Sequence, residues 1–202
     1  MTLRAAVPVF LVLAALFAAV LVRHGEPFGV DRALHAWCVG HRPGAVRDAA
    51  VALTSTGVGV VPYAMAAGAG MLVYRRVRGA VGAALFLLGV AVVRRLLADV
   101  VARPRPPVAD WAVHAGGFAF PSGHTTTAAT AAGLLVWAAC AKLRGARRTI
   151  VIAAAVTWAF AVGVTRIWLG VHWPSDVLGG WLLAAATVGA AAAALRRPGA
   201  PR

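Results

Sequence analysis

Three short segments of the chain hold residue types whose chemistries belong together. In Thr165-Arg166-Ile167-Trp168-Leu169-Gly170-Val171-His172-Trp173-Pro174-Ser175-Asp176, a histidine stands four residues before an acid. If Pro174 opens a helix, Asp176 lies in its first turn and reaches back to one ring nitrogen of His172. A carboxylate there fixes the tautomer and leaves the other nitrogen bare and more basic, as a nucleophile requires. Arg166 adds a rigid fork of donors matched to phosphate oxygens.

The second segment is Phe120-Pro121-Ser122-Gly123-His124. Proline and serine are helix-start residues. The amides of Ser122, Gly123 and His124 are therefore expected to be free, with the positive end of a helix dipole behind them, which makes an anion site. Glycine lets a phosphate approach the backbone, and His124 beside it has a proton to give. The third segment, Arg103-Pro104-Arg105-Pro106-Pro107, stops a helix and stays extended. It is expected to project two guanidiniums at a membrane surface. Each segment alone also has an ordinary explanation: a chance His and acid, a plain helix cap, an Arg-Pro loop on lipid headgroups. All three in one chain point to phosphate chemistry.

The elements that must carry these segments follow from composition. With 202 residues, 61% hydrophobic and 13% charged, the chain is well above the roughly 45–50% apolar content of soluble domains. It is an integral membrane protein. A disordered regulator, a disulfide-rich secreted module and a soluble nucleic-acid binder are excluded, despite a net charge of +14. A spanning helix needs about 20 apolar residues. The stretches Ala5 to Val22, Val51 to Tyr74, Gly79 to Ala98, Gly123 to Ala141, Thr149 to Val164 and Val177 to Leu195 predict six. The expected fold is an all-α polytopic bundle forming one domain over residues 1–202.

The connections at Arg75-Arg76-Val77-Arg78, Lys142 to Arg148 and Arg196-Arg197 are short and basic. The positive-inside rule sets them, Arg4, Arg202 and both termini in the cytoplasm. Every acid (Glu26, Asp31, Asp48, Asp99, Asp110, Asp176) and every histidine (His24, His35, His41, His114, His124, His172) falls toward the opposite face. The three segments are thus expected on the extracytoplasmic side. Arg4 before an apolar run also suits a cleaved leader, but no small-x-small site lies near the end of that run.

Arg23 to Ala50 is too polar to span. Its Phe28, Leu34, Trp37 and Val39, interleaved with Asp31, Arg32 and His35, suit a short amphipathic helix at the outer interface. A surface loop with a Trp anchor is the other reading. Cys38 and Cys140 lie on opposite faces, cannot pair, and are packing residues. The pairs Gly68 with Gly70 and Gly179 with Gly180 are helix-packing positions.

These segments resemble the signature of the type 2 phosphatidic acid phosphatase (PAP2) superfamily: Lys-x6-Arg-Pro, Pro-Ser-Gly-His, then Ser-Arg-x5-His-x3-Asp. Arg105-Pro106 closes the first motif, Pro121 to His124 is the second, and Arg166, His172 and Asp176 match the third, with Thr165 in place of Ser. The resemblance covers nearly the whole chain, its motifs lying within residues 94–176. It implies a metal-independent phosphatase without cofactor. His172 would be the phosphorylated nucleophile, Asp176 its orienting acid and His124 the proton donor and later base. Arg105, Arg166, Ser122 and Gly123 would hold the phosphate. The implied partners are membrane lipids and a lipid phosphate or pyrophosphate, undecaprenyl pyrophosphate and phosphatidate-type lipids both qualifying.

The chain departs from the signature where the first lysine should stand, at Ala98. Arg94 lies one helical turn earlier on the same face. Either its long side chain reaches the phosphate in place of the lysine, or it snorkels elsewhere and phosphate binding is weakened. Arg95, four residues before Asp99, is expected to pair with it. Two rivals stand beside the phosphatase reading. One is metal assistance, for which the histidines lack ligand-like spacing; the other is a lipid-phosphate binder or transporter without turnover.

Overall fold

A computed structural model describes residues 3–195, with side chains from Val7 onward. Eight α-helices and no strand occur among them: α1 Leu3–Val22, α2 Gly29–Gly40, α3 Gly44–Ser55, α4 Val60–Tyr74, α5 Val77–Val101, α6 Gly123–Lys142, α7 Gly145–Trp168 and α8 Pro174–Ala194. A 3-10 turn spans Val108–Asp110. The basic residues Arg196, Arg197 and Arg202 lie outside the described residues, as does the side chain of Arg4.

Helix α6 is the hub and packs on α4, α5, α7 and α8, while α1 lies along α8. Its buried face is built of small residues: Thr125, Thr126, Ala128, Thr130, Ala131, Ala132, Ala138 and Ala139. In lipid, apolar side chains gain nothing by leaving solvent for a neighbour, so close approach of small residues supplies the van der Waals contact that holds helices together. Gly179 and Gly180 of α8 show what this achieves. A Cβ at Gly179 would strike the Phe120 ring, and one at Gly180 would crowd Thr125 and the Ser122 carbonyl. These two glycines let α8 sit directly against the start of α6. Gly70 packs on the backbone of Gly79, as expected of a packing position, but Gly68 meets nothing within 4 Å.

Helices α5, α7 and α8 are each long and apolar enough to cross a bilayer, which makes the chain a membrane protein. The expected single span Val51 to Tyr74 is instead two helices, α3 and α4, bent by 45°. The break falls at Thr56 to Gly59, where Gly59 takes a φ of +68° that no helix accommodates. Counted as one bent span, the pair is the fourth candidate.

The polar segment after α1 does form a short helix, α2, but with its polarity turned inward. Asp31, His35 and Cys38 are its buried residues, whereas Leu34 and Trp37 are exposed. Both cysteines are free.

Candidate active site

The C-terminal ends of α5 and α7 and the N-terminal ends of α6 and α8 meet at one end of the bundle, and the three sequence segments meet there with them. Pro174 is the first residue of α8, and Asp176 is fully buried in its first turn. The Asp176 carboxylate accepts the amide of Trp173 at 2.8 Å and lies 3.3 Å from His172 Nδ1, both through Oδ2. His172 is 1% exposed.

On the other side of the ring, Arg105 Nη1 lies 2.9 Å from His172 Nε2. Arg105 is held there by the carbonyls of Gly116, Gly117 and Val171. Burial lowers the pKa of Arg105, with Asp176 acting in the opposite sense. His172 is pushed well below its ordinary value of 6.5, first by burial and then by the charges of Arg105, Arg166, Arg94 and His124.

Arg166, in the last turn of α7, is 3% exposed and donates from Nη1 to Thr54 Oγ1 of α3 at 2.9 Å. Its Nε is buried and has no partner among the described residues. A buried guanidinium donor without an acceptor is costly, and an entering anion would satisfy it. Thr165, standing where the signature has serine, turns its hydroxyl back to the Val162 carbonyl at 2.6 Å.

Arg94 reaches the same place. Its Nε donates to the Pro121 carbonyl at 2.7 Å, and its guanidinium carbon would lie 3.2 Å from a Cβ at Gly123. Arg95 is diverted to Asp99 at 3.1 Å, as its spacing predicted. Ala98 is buried at 1% exposure.

Two expectations need correction. The Ser122 amide is not free: it donates to the Asp176 carbonyl at 2.9 Å, because the glycines of α8 bring the third segment against the second. Among the described residues, the amides of Gly123 and His124 remain without an acceptor. Nor do two guanidiniums project at the surface. Arg103 is completely buried, because Asp31 and Asp176 both accept from it, at 2.9 and 2.6 Å. Asp31, Thr54 and Ser175 were not assigned to the site by sequence, and Arg103 was expected only as a guanidinium at the surface.

Comparison with known proteins agrees with this arrangement. Residues 79–198 match the PAP2 superfamily, and the chain belongs to that family. It is 31% identical over 128 residues to phosphatidylglycerophosphatase B of Bacillus subtilis, covering 61% of this chain and 62% of that protein. A 75-residue stretch is 45% identical to phosphatidylglycerophosphatase B of Escherichia coli, covering 37% of this chain and 28% of the relative. The matched stretches are thus under two thirds of the length of these curated relatives. Lipid A 4'-phosphatase of Bacteroides thetaiotaomicron is 37% identical over 92 residues, which is 39% of this chain and 38% of that one. A solved structure, a transmembrane PAP2 type phosphatidylglycerolphosphate phosphatase from Bacillus subtilis, superposes with a TM-score of 0.75 at 25% identity. It covers 95% of this chain and 98% of its own.

Proposed function

We propose that the protein hydrolyses a lipid phosphate or pyrophosphate through a phosphohistidine, as one PAP2-type domain over residues 1–202. The observation that carries this reading is His172, with a carboxylate on Nδ1 and a guanidinium at Nε2, beside the open helix start at Gly123. His172 Nε2 attacks phosphorus in line, the bond to the lipid oxygen breaks, and His124 protonates that oxygen as it leaves. Water then attacks the phosphohistidine, His124 takes its proton, the P–N bond breaks and phosphate departs. Arg94, Arg105, Arg166 and the amides of Gly123 and His124 stabilise charge on the equatorial oxygens. Ser122 contributes by tying its segment to Asp176. Since the phosphate charge is met by arginines and amides, no step calls for a metal or cofactor.

The reading extends to six spans, with both termini cytoplasmic and the site on the extracytoplasmic face of the cell membrane. It draws on the basic turns at Arg75 to Arg78 and Lys142 to Arg148, which lie at the bundle end away from His172. The substrate head would sit at the outer interface and its tail in the bilayer. The names of the relatives favour glycerophospholipid or lipid A phosphates; undecaprenyl pyrophosphate fits the same chemistry.

The test is phosphate release by the purified full chain from a panel of lipid phosphates and pyrophosphates, with and without chelator. Release that survives chelator is expected. Saturable binding of the same lipids without release would favour a non-catalytic lipid-phosphate binder or transporter, the reading that the missing lysine at Ala98 keeps in play.

A further inference from the structure

The phosphohistidine reading uses Asp176 but does not explain what holds Asp176. We propose that Arg103 is a positioning residue for the Asp176 carboxylate and that Asp31, on α2, holds Arg103 in that task. The interfacial helix would thereby set the geometry of the nucleophile.

Every donor group of Arg103 is committed. Its Nε donates to the Gly25 carbonyl at 3.1 Å, Nη1 to Ser175 Oγ at 2.7 Å and Asp176 Oδ1 at 2.6 Å, and Nη2 to Asp31 Oδ2 at 2.9 Å. Asp31 is equally engaged. It accepts the Ser175 amide at 2.8 Å, the Ser175 hydroxyl at 2.6 Å and the Phe28 amide at 3.1 Å. One carboxylate therefore caps the start of α2 and the start of α8 together.

The two oxygens of Asp176 divide their work. Oδ1 is taken by Arg103, and Oδ2 by the Trp173 amide and His172. The terminal torsion of an aspartate is soft, so without Arg103 the carboxylate would turn and His172 would lose a fixed partner. Charge points the same way. Asp31, Arg103 and Asp176 are all 0% exposed, and two carboxylates with one guanidinium leave a net charge of −1. Asp31 neutralises Arg103, so the charge of Asp176 stays available to the imidazolium that forms when Nε2 bonds to phosphorus. A buried ion pair is by itself weak evidence for stability, which leaves room for this role. A second clamp supports α2: His35 Nε2 donates to Asp110 Oδ2 at 2.9 Å.

The proposal rests on the phosphohistidine reading, and a double-mutant cycle separates the two. Arg103→Lys and Asp31→Asn are each made in the wild-type chain and in Asp176→Asn. Two readouts are taken on the purified full-length protein: kcat and KM on a radiolabelled lipid phosphate, and the 15N signals of His172. The 15N signals report which ring nitrogen is protonated whether or not the variant turns over. Each single variant should lower kcat about 10- to 100-fold, as for loss of one charge-assisted hydrogen bond, with KM within about 3-fold. In the Asp176→Asn background the same changes should cost under about 2-fold, because they act only through Asp176. His172 should shift from the Nδ1–H form toward mixed tautomers in each single variant. Equal losses in both backgrounds, a rise in KM alone, or an unchanged His172 pattern would overturn the proposal. So would loss of folded protein in both variants, which would make the network structural. A wild-type chain that releases no phosphate would remove the phosphatase reading and this one together; wild-type turnover with additive losses would remove only this one.

Discussion

Arg105 Nη1 and His172 Nε2 lie 2.9 Å apart. A guanidinium has donors and no acceptor, so Nε2 receives this hydrogen bond through its lone pair. The ring proton is then on Nδ1, facing Asp176. Two residues from different segments thus specify the same tautomer. In the proposed mechanism this contact would cover the attacking nitrogen at rest: an entering phosphate would draw the guanidinium onto its own oxygens and free the lone pair.

The pH dependence follows from the depressed pKa of His172. Because burial and neighbouring cations hold it well below 6.5, the ring stays neutral and nucleophilic as the pH falls past that value. Folding responds in the opposite sense: below 6.5 the unfolded chain binds a proton that the folded chain refuses. The stability contribution is complete above the unfolded value and is lost as pH falls from there toward the folded one. Followed through the 15N signals of His172, the ring should show no protonation as pH falls through 6.5, while thermal stability declines below it. Arg105→Gln removes one lowering charge and should move the titration of the ring upward. Protonation of His172 at or above pH 6.5 in the wild-type chain would contradict the assignment.

His124 is tested through the leaving group. In the leaving-group step, replacing it with Ala should cost a substrate whose leaving oxygen needs no proton, such as a nitrophenyl phosphate, less than ordinary lipid phosphates, which should lose on the order of 10²–10⁴-fold. Equal losses on both would make His124 a binding residue only.

Arg94 stands against Gly123, where a phosphate would meet the helix start. Arg94→Ala should reduce turnover roughly 10- to 150-fold, the value of one charge-assisted contact of about 1.5–3 kcal/mol. Adding Ala98→Lys should recover part of that loss from one turn higher. If Arg94→Ala is silent while Ala98→Lys alone raises activity strongly, Arg94 does not replace the lysine.

Orientation is tested by cysteine labelling in a chain lacking Cys38 and Cys140. Positions 32 and 109, both exposed at the motif end, should react with impermeant reagents from outside, and positions 76 and 147 should not. Asp110 is a poorer probe site because it is bonded to His35. The reverse pattern would turn the site toward the cytoplasm.

What was legible in the sequence was local. Pro174 and Asp176 sit within one helical turn, so their spacing alone carried the link to His172. The same holds for Arg95 with Asp99. The partners that sequence missed are brought in by the fold: Asp31 is 72 positions from Arg103, and Thr54 is 112 from Arg166. Nothing near either residue announces the other. Hydropathy alone also concealed the break at Gly59, because Thr56 to Gly59 interrupts an apolar run without adding charge. Helix α2 was legible as a short amphipathic helix, but the partners of its buried Asp31 and His35 were not, because Arg103 and Asp110 lie 72 and 75 positions away.

The central claim is that His172 carries the phosphoryl group. The most direct measurement is trapping of the purified chain with a radiolabelled lipid phosphate by a detergent quench at alkaline pH, followed by location of the label. An acid-labile, base-stable phosphoenzyme on His172 is expected, turning over at a rate no slower than phosphate release, with both label and release lost in His172→Ala. Label on any other residue, or substantial release by His172→Ala, would contradict it.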